Sequence, residues 1–215
     1  MTGRMASSAQ MKDDETLLLA WQGGDQRSGN RLFQRHFEPV RRFFINKIDN
    51  DDEAADLVQR TFLGCAAAKE RFEGRSSFRT FLFAVAHNVL REHYRARHRV
   101  NNKVGDIDEH SVVDLGAGPT TMVDGVREQR ALLLALRRIP LRFQIVLELY
   151  FWEELTGAQI GEVLGVPEDT ARSRIRRGKE LLRKAVRTVA LSNEEADSAV
   201  GKMESWAAEI RVAMG

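Results

Sequence analysis

The stretch GEVLGVPEDTARSRIRRGKELLRK, Gly161 to Lys184, separates two helical patterns with a glycine and then loads the second pattern with arginine. Ile160, Val163 and Leu164 share one face of a helix that Thr156 can cap. Gly165 ends that helix by supplying a positive φ, and Val166 packs across the turn. Pro167 pre-sets the chain before Glu168, Asp169 and Thr170, and acids suit the positive end of the helix they open. Ala171, Ile175, Gly178 and Leu182 then form a buried stripe, which predicts helix-turn-helix geometry. With that stripe turned inward, Arg172, Ser173, Arg176 and Arg177 project outward near the helix start, where a recognition helix meets base edges and phosphates. Arginine's planar fork suits guanine edges and phosphate oxygens alike. Arg174, Lys179, Arg183, Lys184 and Arg187 fall where phosphate or water would meet them. Most basic helical faces are simply wet; the glycine-punctuated turn and the one-sided arginine excess, occurring together, favour DNA.

Outward from this motif, apolar residues recur at helical spacing almost everywhere and no alternating run suggests a strand. Leu32, Phe33, His36, Phe37, Val40, Phe43 and Phe44 make one stripe. Ala54, Leu57, Val58, Thr61, Phe62 and Cys65 make a second, with Asn50, Asp51 and Asp52 as candidate caps. Phe78, Phe81, Leu82, Val85, Ala86, Val89, Leu90 and His93 make a third, capped by Ser76 or Ser77. The short breaks GGDQRSGN and FEGRSS favour antiparallel packing of these helices into a small bundle. Periodicity fails between residues 100 and 125, where glycines and acids accumulate, and returns at 126–190. The expected organisation is a disordered N-terminus at 1–15, a helical bundle at 16–99, a flexible acidic linker at 100–125, a helix-turn-helix domain at 126–190 and an extension at 191–215.

Charge is segregated along the chain. Glu168 to Thr188 holds eight basic and three acidic residues, whereas Asn101 to Val126 holds one lysine and five acids. The single cysteine, Cys65, excludes an internal disulfide or a cysteine-based zinc cluster, and the five histidines show no metal-ligand spacing. No apolar run approaches the ~18 residues of a membrane span, and the start lacks a secretory signal. These readings predict a cytoplasmic chain with no cofactor, no metal and no membrane insertion. No GxxxxGK, HExxH or GxSxG motif appears, and Cys65 lies on an apolar stripe, poorly placed as a nucleophile, so no enzymatic chemistry is expected.

The stretch LVQRTFLGCAAAKERFEGRSSFRTFLFAVAHNVLREHYRARHR, followed after the linker by LRRIPLRFQIVLELYFWEELTGAQIGEVLGVPEDTARSRIRRGKELLRK, resembles the extracytoplasmic-function (group IV) sigma factors of bacterial RNA polymerase. The resemblance spans roughly Thr16 to Val189 and implies an all-α fold of two small domains, a sigma-two-like bundle and a sigma-four-like helix-turn-helix, joined by the linker. It implies that Asp56 and Gln59 face the polymerase, with Arg60 standing where the family usually has an acid. It implies that the loop bearing Arg75, Ser76 and Ser77 accepts an extruded base of the minus-ten element, with Asn88, Arg91 and Arg95 nearby. Phe81 replaces the family's usual tryptophan. Arg172, Ser173, Arg176 and Arg177 match the readers of the minus-thirty-five element. RNA polymerase core and promoter DNA are the implied partners, and an anti-sigma factor is a candidate third. Two other readings start from the same residues: a stand-alone helix-turn-helix regulator, and an anti-sigma-like scaffold whose arginine face meets acidic protein. The extension, with Trp206 and Ile210 on one stripe, is expected to make a regulatory contact.

Overall fold

The computed structural model describes residues 13–100, 109–113 and 127–189. Helix α1 covers residues 13–22, followed by α2 (Gln26–Ile45), α3 (Asp51–Ala68), a short 3-10 turn (Lys69–Arg71) and α4 (Phe78–Val100). The second unit contains α5 (Arg127–Leu136), α6 (Leu141–Phe151), α7 (Gly157–Leu164) and α8 (Glu168–Val189). Among the described residues there is no strand, only an isolated bridge between Ser111 and Pro140.

Local chemistry sets the helix starts. The Asp25 carboxylate accepts from the Arg27 amide and the Ser28 hydroxyl at the head of α2. Of the candidate caps for α3 it is Asn50 that serves, accepting from the Asp52 and Glu53 amides at 2.9 and 3.1 Å. Ser77, the second of the two candidates, accepts from the Thr80 amide at the start of α4. Leu32, Val40, Phe43 and Phe44 of α2 pack with Leu57, Val58 and Cys65 of α3 and Leu82, Ala86 and Leu90 of α4. Phe37 departs from the expected stripe: it is 45% exposed, its ring stacked on Phe62 at 6.4 Å.

Two expectations about the connections need correction. Residues 13–15, assigned to a disordered start, are helical, because Asp14 is buried against His36 at 2.7 Å and also accepts from Arg35 at 2.5 Å. Part of the segment expected to be a flexible linker is docked: Val112 is fully buried, the Leu141 amide donates to the His110 carbonyl at 2.8 Å, and Glu109 pairs with Arg142. The remainder of that segment, and the extension with Trp206 and Ile210, lie outside the described residues. The two helical units expected on either side of the connector are both present, and one apolar cluster joins Leu82, Ala86 and Leu90 of the first to Leu141, Ile145, Leu149 and Ile160 of the second. A second cluster, with Leu132, Leu136, Phe143, Leu147, Leu182 and Val186, lies within the second unit.

Candidate nucleic-acid interface

The turn between α7 and α8 is built by local contacts. Thr156 and Gln159 form a reciprocal capping box at the start of α7. Gly165 ends α7 in the left-handed region, φ 65 and ψ 36, and the Val166 amide donates back to the Gly161 carbonyl at 2.9 Å. The chain passes so close there that a Cβ on Gly161 would lie 2.8 Å from the Val166 carbonyl oxygen. Helix α8 then buries Ala171, Ile175 and Leu182, and seats Gly178 on the Leu147 side chain of α6.

That burial turns the arginine face outward. Arg172, Ser173, Arg176 and Arg177 are all exposed. Arg172 donates to Glu168 through Nε at 2.8 Å, and Arg177 donates to Glu180 at 2.9 Å; both are solvent-facing pairs within one helix that an anion can displace at little cost. Beside them, Tyr150, Arg172, Ile175, Arg176, Lys179 and Arg183 line a groove of about 510 Å³. The Lys179 ammonium sits 4.4 Å from the Tyr150 ring centroid, which holds the charge toward that groove.

Of the residues assigned to the minus-ten element, Asn88, Arg91 and Arg95 share one face of α4, while Arg75, Ser76 and Ser77 lie in the loop before it. Phe81, Ala84, Asn88, Arg91 and Arg95 are spaced three and four residues apart, hence aligned. At the head of this face a cavity of about 270 Å³ is lined by Arg71, Phe72, Glu73, Arg75, Ser76, Thr80, Phe81 and Ala84, with Glu162 of α7 at its edge. Gly74 takes φ 68 to turn the loop, Arg75 is exposed and paired with Glu73, and Ser76 and Ser77 are half-buried. Ser77 is thus engaged in capping as well as lying near the cavity. Asn88 and Arg95 are exposed, whereas Arg91 is half-buried.

Asp56, Gln59 and Arg60 lie exposed on a single face of α3, and Arg60 reaches Glu92 of α4 at 3.3 Å. Leu63 continues the face one turn on and is 60% exposed, a position the apolar pattern did not single out.

Sequence reasoning also missed a buried polar network between the two units. Lys47, with no exposed surface, pairs with Glu148 and donates to the Phe43 carbonyl at 2.6 Å. Asn46 donates to Glu148 at 2.7 Å, Arg42 and Arg79 donate to Glu153 at 3.0 and 2.5 Å, and Arg137 donates to the Asn46 carbonyl at 3.0 Å. Burial lowers the Lys47 pKa, and the Glu148 charge only partly offsets it. For Glu153, burial acts upward but Arg79 and Arg42 outweigh it, so its carboxyl titrates below the ordinary range. Burial also drops His87, which faces α7, to about 4, and raises the Cys65 thiol to about 12. A thiol so held is a core group.

Comparison with known proteins places both units in known families. Residues 32–100 match Sigma-70 region 2, and residues 129–182 match Sigma-70, region 4. The chain is 30% identical over 188 residues to the ECF RNA polymerase sigma factor SigC of Mycobacterium tuberculosis, covering 81% of this chain and 94% of that one. It is 28% identical over 157 residues to the RNA polymerase sigma factor HrpL of Pseudomonas syringae pv. syringae, covering 73% and 85%. It is 25% identical over 171 residues to the ECF RNA polymerase sigma factor SigW of Bacillus subtilis, covering 76% and 91%. Among solved structures, CnrH in complex with the cytosolic domain of CnrY superposes with a TM-score of 0.62 at 19% identity, covering 83% of this chain and 99% of that one. The sigma factor RpoE of Bartonella quintana, solved with the anti-sigma factor NepR, superposes with a TM-score of 0.58 at 21% identity, covering 74% and 96%; both share the fold. The chain belongs to the ECF family of RNA polymerase sigma factors. Its activity is promoter-specific initiation of transcription with RNA polymerase. No helix among the described residues is long and apolar enough to cross a membrane.

Proposed function

We propose that the chain works in the cytoplasm without chemistry of its own, docking on RNA polymerase core through Asp56, Gln59 and Arg60 and reading two promoter elements with two surfaces. Arg172, Ser173, Arg176 and Arg177 of α8 enter the major groove at the minus-thirty-five element. The loop with Arg75, Ser76 and Ser77 accepts an extruded minus-ten base, whose unstacking costs a few kcal/mol, while Asn88, Arg91 and Arg95 follow the strand. The observation that carries this reading is the outward row on α8, since burial of Ala171, Ile175 and Leu182 leaves these side chains nowhere else to point. Each element alone is bound weakly; polymerase supplies the separation and the effective concentration that make the two act together. Because RpoE was solved with an anti-sigma factor, such a protein is a candidate regulator here too.

The test is transcription from genomic fragments by core enzyme with and without the purified chain, beside gel shifts of the same fragments. The reading predicts discrete promoter-specific transcripts and tight DNA binding only with core present. Tight binding of a palindromic site by the chain alone, with no transcript, would contradict it.

A further inference from the structure

Helix α1 ends in a hook. Gln22, its last residue, is half-buried, and its side-chain Nε2 donates to the Lys69 carbonyl at 2.7 Å and to the Phe72 carbonyl at 3.0 Å, 47 and 50 residues further along the chain. The two carbonyls flank the short 3-10 turn after α3, whose own closing bond runs from the Phe72 amide to the same Lys69 carbonyl at 3.3 Å. A carbonyl oxygen has two lone pairs, so the Lys69 group takes both donors. The Phe72 carbonyl, already part of extended backbone, takes the other N–H of the Gln22 amide. One side chain thereby fixes the direction in which the backbone leaves α3.

The hook is itself firmly mounted. Trp21 beside it is buried, and α2 passes so near the indole that a Cβ on Gly29 would lie 2.5 Å from the ring. The Lys69 ammonium donates to the Trp21 carbonyl at 3.4 Å and lies 5.3 Å from the ring centroid. The other end of α1 is pinned where Asp14 meets Arg35 and His36. With its backbone held at both ends, Gln22 has little freedom left to lose when its amide meets the turn.

What leaves the turn is the loop of the minus-ten cavity. At its entry the Phe72 ring packs on Phe81 at 4.8 Å, and both rings line the cavity with Arg75, Ser76 and Thr80. At its exit Ser77 caps α4, accepting from the Thr80 amide at 3.1 Å. Between these fastenings Glu73, Gly74 and Arg75 are exposed, and the Glu73–Arg75 pair is a surface contact worth little. The loop is therefore held at its two ends, and the entry end depends on Gln22. We propose that Gln22 is a positioning residue for minus-ten recognition. By holding the Lys69 and Phe72 carbonyls it keeps the Phe72 ring and the Arg75–Ser77 loop at the spacing that accepts an extruded base, acting through the loop and not by contact with the base. The proposal rests on the minus-ten reading of that cavity given above. Without the hook the two carbonyls turn to water, the loop samples other entries, and part of the binding energy of the base goes into ordering it.

The experiment uses the full chain bound to polymerase core. Its probe is a single strand carrying the minus-ten element of a promoter recovered in the genomic transcription assay, with an abasic site placed at each position in turn. The ratio of intact to abasic affinity at the extruded position reads the pocket alone. The wild-type chain is expected to lose about tenfold or more at one position. Gln22→Met, which keeps the length of the side chain and removes both donors, is expected to reduce that loss to about threefold or less. Its affinities for core and for a minus-thirty-five duplex are expected to stay at wild-type values. Gln22→His, which keeps one ring N–H at similar reach, is expected to recover part of the abasic loss. Should Gln22→Met lose its cooperative melt, Gln22→Glu, of the same length and with no donor at neutral pH, is read in its place. A folded donor-free variant with the wild-type abasic ratio would overturn the proposal and leave the minus-ten reading intact. So would a Gln22→His chain no better than Gln22→Met, or affinity lost equally at every position, since both assign the effect to packing. A wild-type chain with no abasic-sensitive position would overturn the minus-ten reading itself, and this role for Gln22 with it.

Discussion

At the scale of single residues, Gly161 shows how little room the turn before α8 has. An added methyl group would meet the Val166 carbonyl at 2.8 Å and the Glu168 amide nitrogen at 3.4 Å, both backbone atoms that cannot swing aside. Gly161→Ala is therefore expected to destabilise the chain by about 1–3 kcal/mol, seen as a melting temperature several degrees lower. An unchanged melt would mean the turn has slack the structure does not show. Lys184 is exposed near the end of α8, where phosphate or water would meet it. Replacing it with alanine is expected to weaken polymerase-dependent binding equally across promoter sequences and to reduce the salt slope by about one. A change in sequence preference would move Lys184 into the base-reading set. Residues of this kind were legible because their meaning is local: a glycine before a β-branched residue and a proline, then arginines offset from an apolar stripe. Phe37 was misread for the complementary reason, since its spacing fits the core stripe while its partner is Phe62, on another helix.

At the scale of elements, the contact of α4 with α7 carries a pH dependence. His87 is buried on that contact, its ring hydrogen-bonded to the Val163 backbone, with Arg91, Arg174 and Lys47 adding unfavourable positive charge to what burial already does. Its pKa is depressed from about 6.5 to about 4, so the unfolded chain binds the proton more readily. The contribution is intact above pH 6.5 and is lost as pH falls toward 4, amounting to about 2 kcal/mol by pH 5. Denaturant titrations at pH 7 and pH 5 are expected to show that loss in the wild-type chain and a flatter response in His87→Gln. Equal slopes in both would assign the pH dependence to other groups; Glu153 and Asp14, whose pKa values are lowered from already acidic ones, act below this window. The helices themselves were readable from apolar spacing and caps, since α2, α3, α4, α7 and α8 arise where the stripes predicted them. What joins them was not readable. Lys47 and Glu148 are 101 residues apart in sequence, and charged side chains are by default exposed. The one trace is Glu148 itself, a lone acid inside the apolar run of α6, where a buried partner is required.

At the scale of the whole molecule, two matched regions are joined both by one shared apolar cluster and by buried ion pairs, Lys47 with Glu148 and Arg42 with Glu153. The arginine face of α8 is exposed, and under the proposed function promoter choice at the minus-thirty-five element depends on α8 and the turn that orients it. The most direct measurement of this claim is transcription by core polymerase, loaded with wild-type chain or Arg176→Ala, from a promoter library randomised through the minus-thirty-five element. The account predicts that Arg176→Ala keeps activity from a minority of templates while relaxing preference at one or two adjacent base pairs, by about 1–3 kcal/mol of discrimination. Identical base preferences for the two proteins at every randomised position would contradict it.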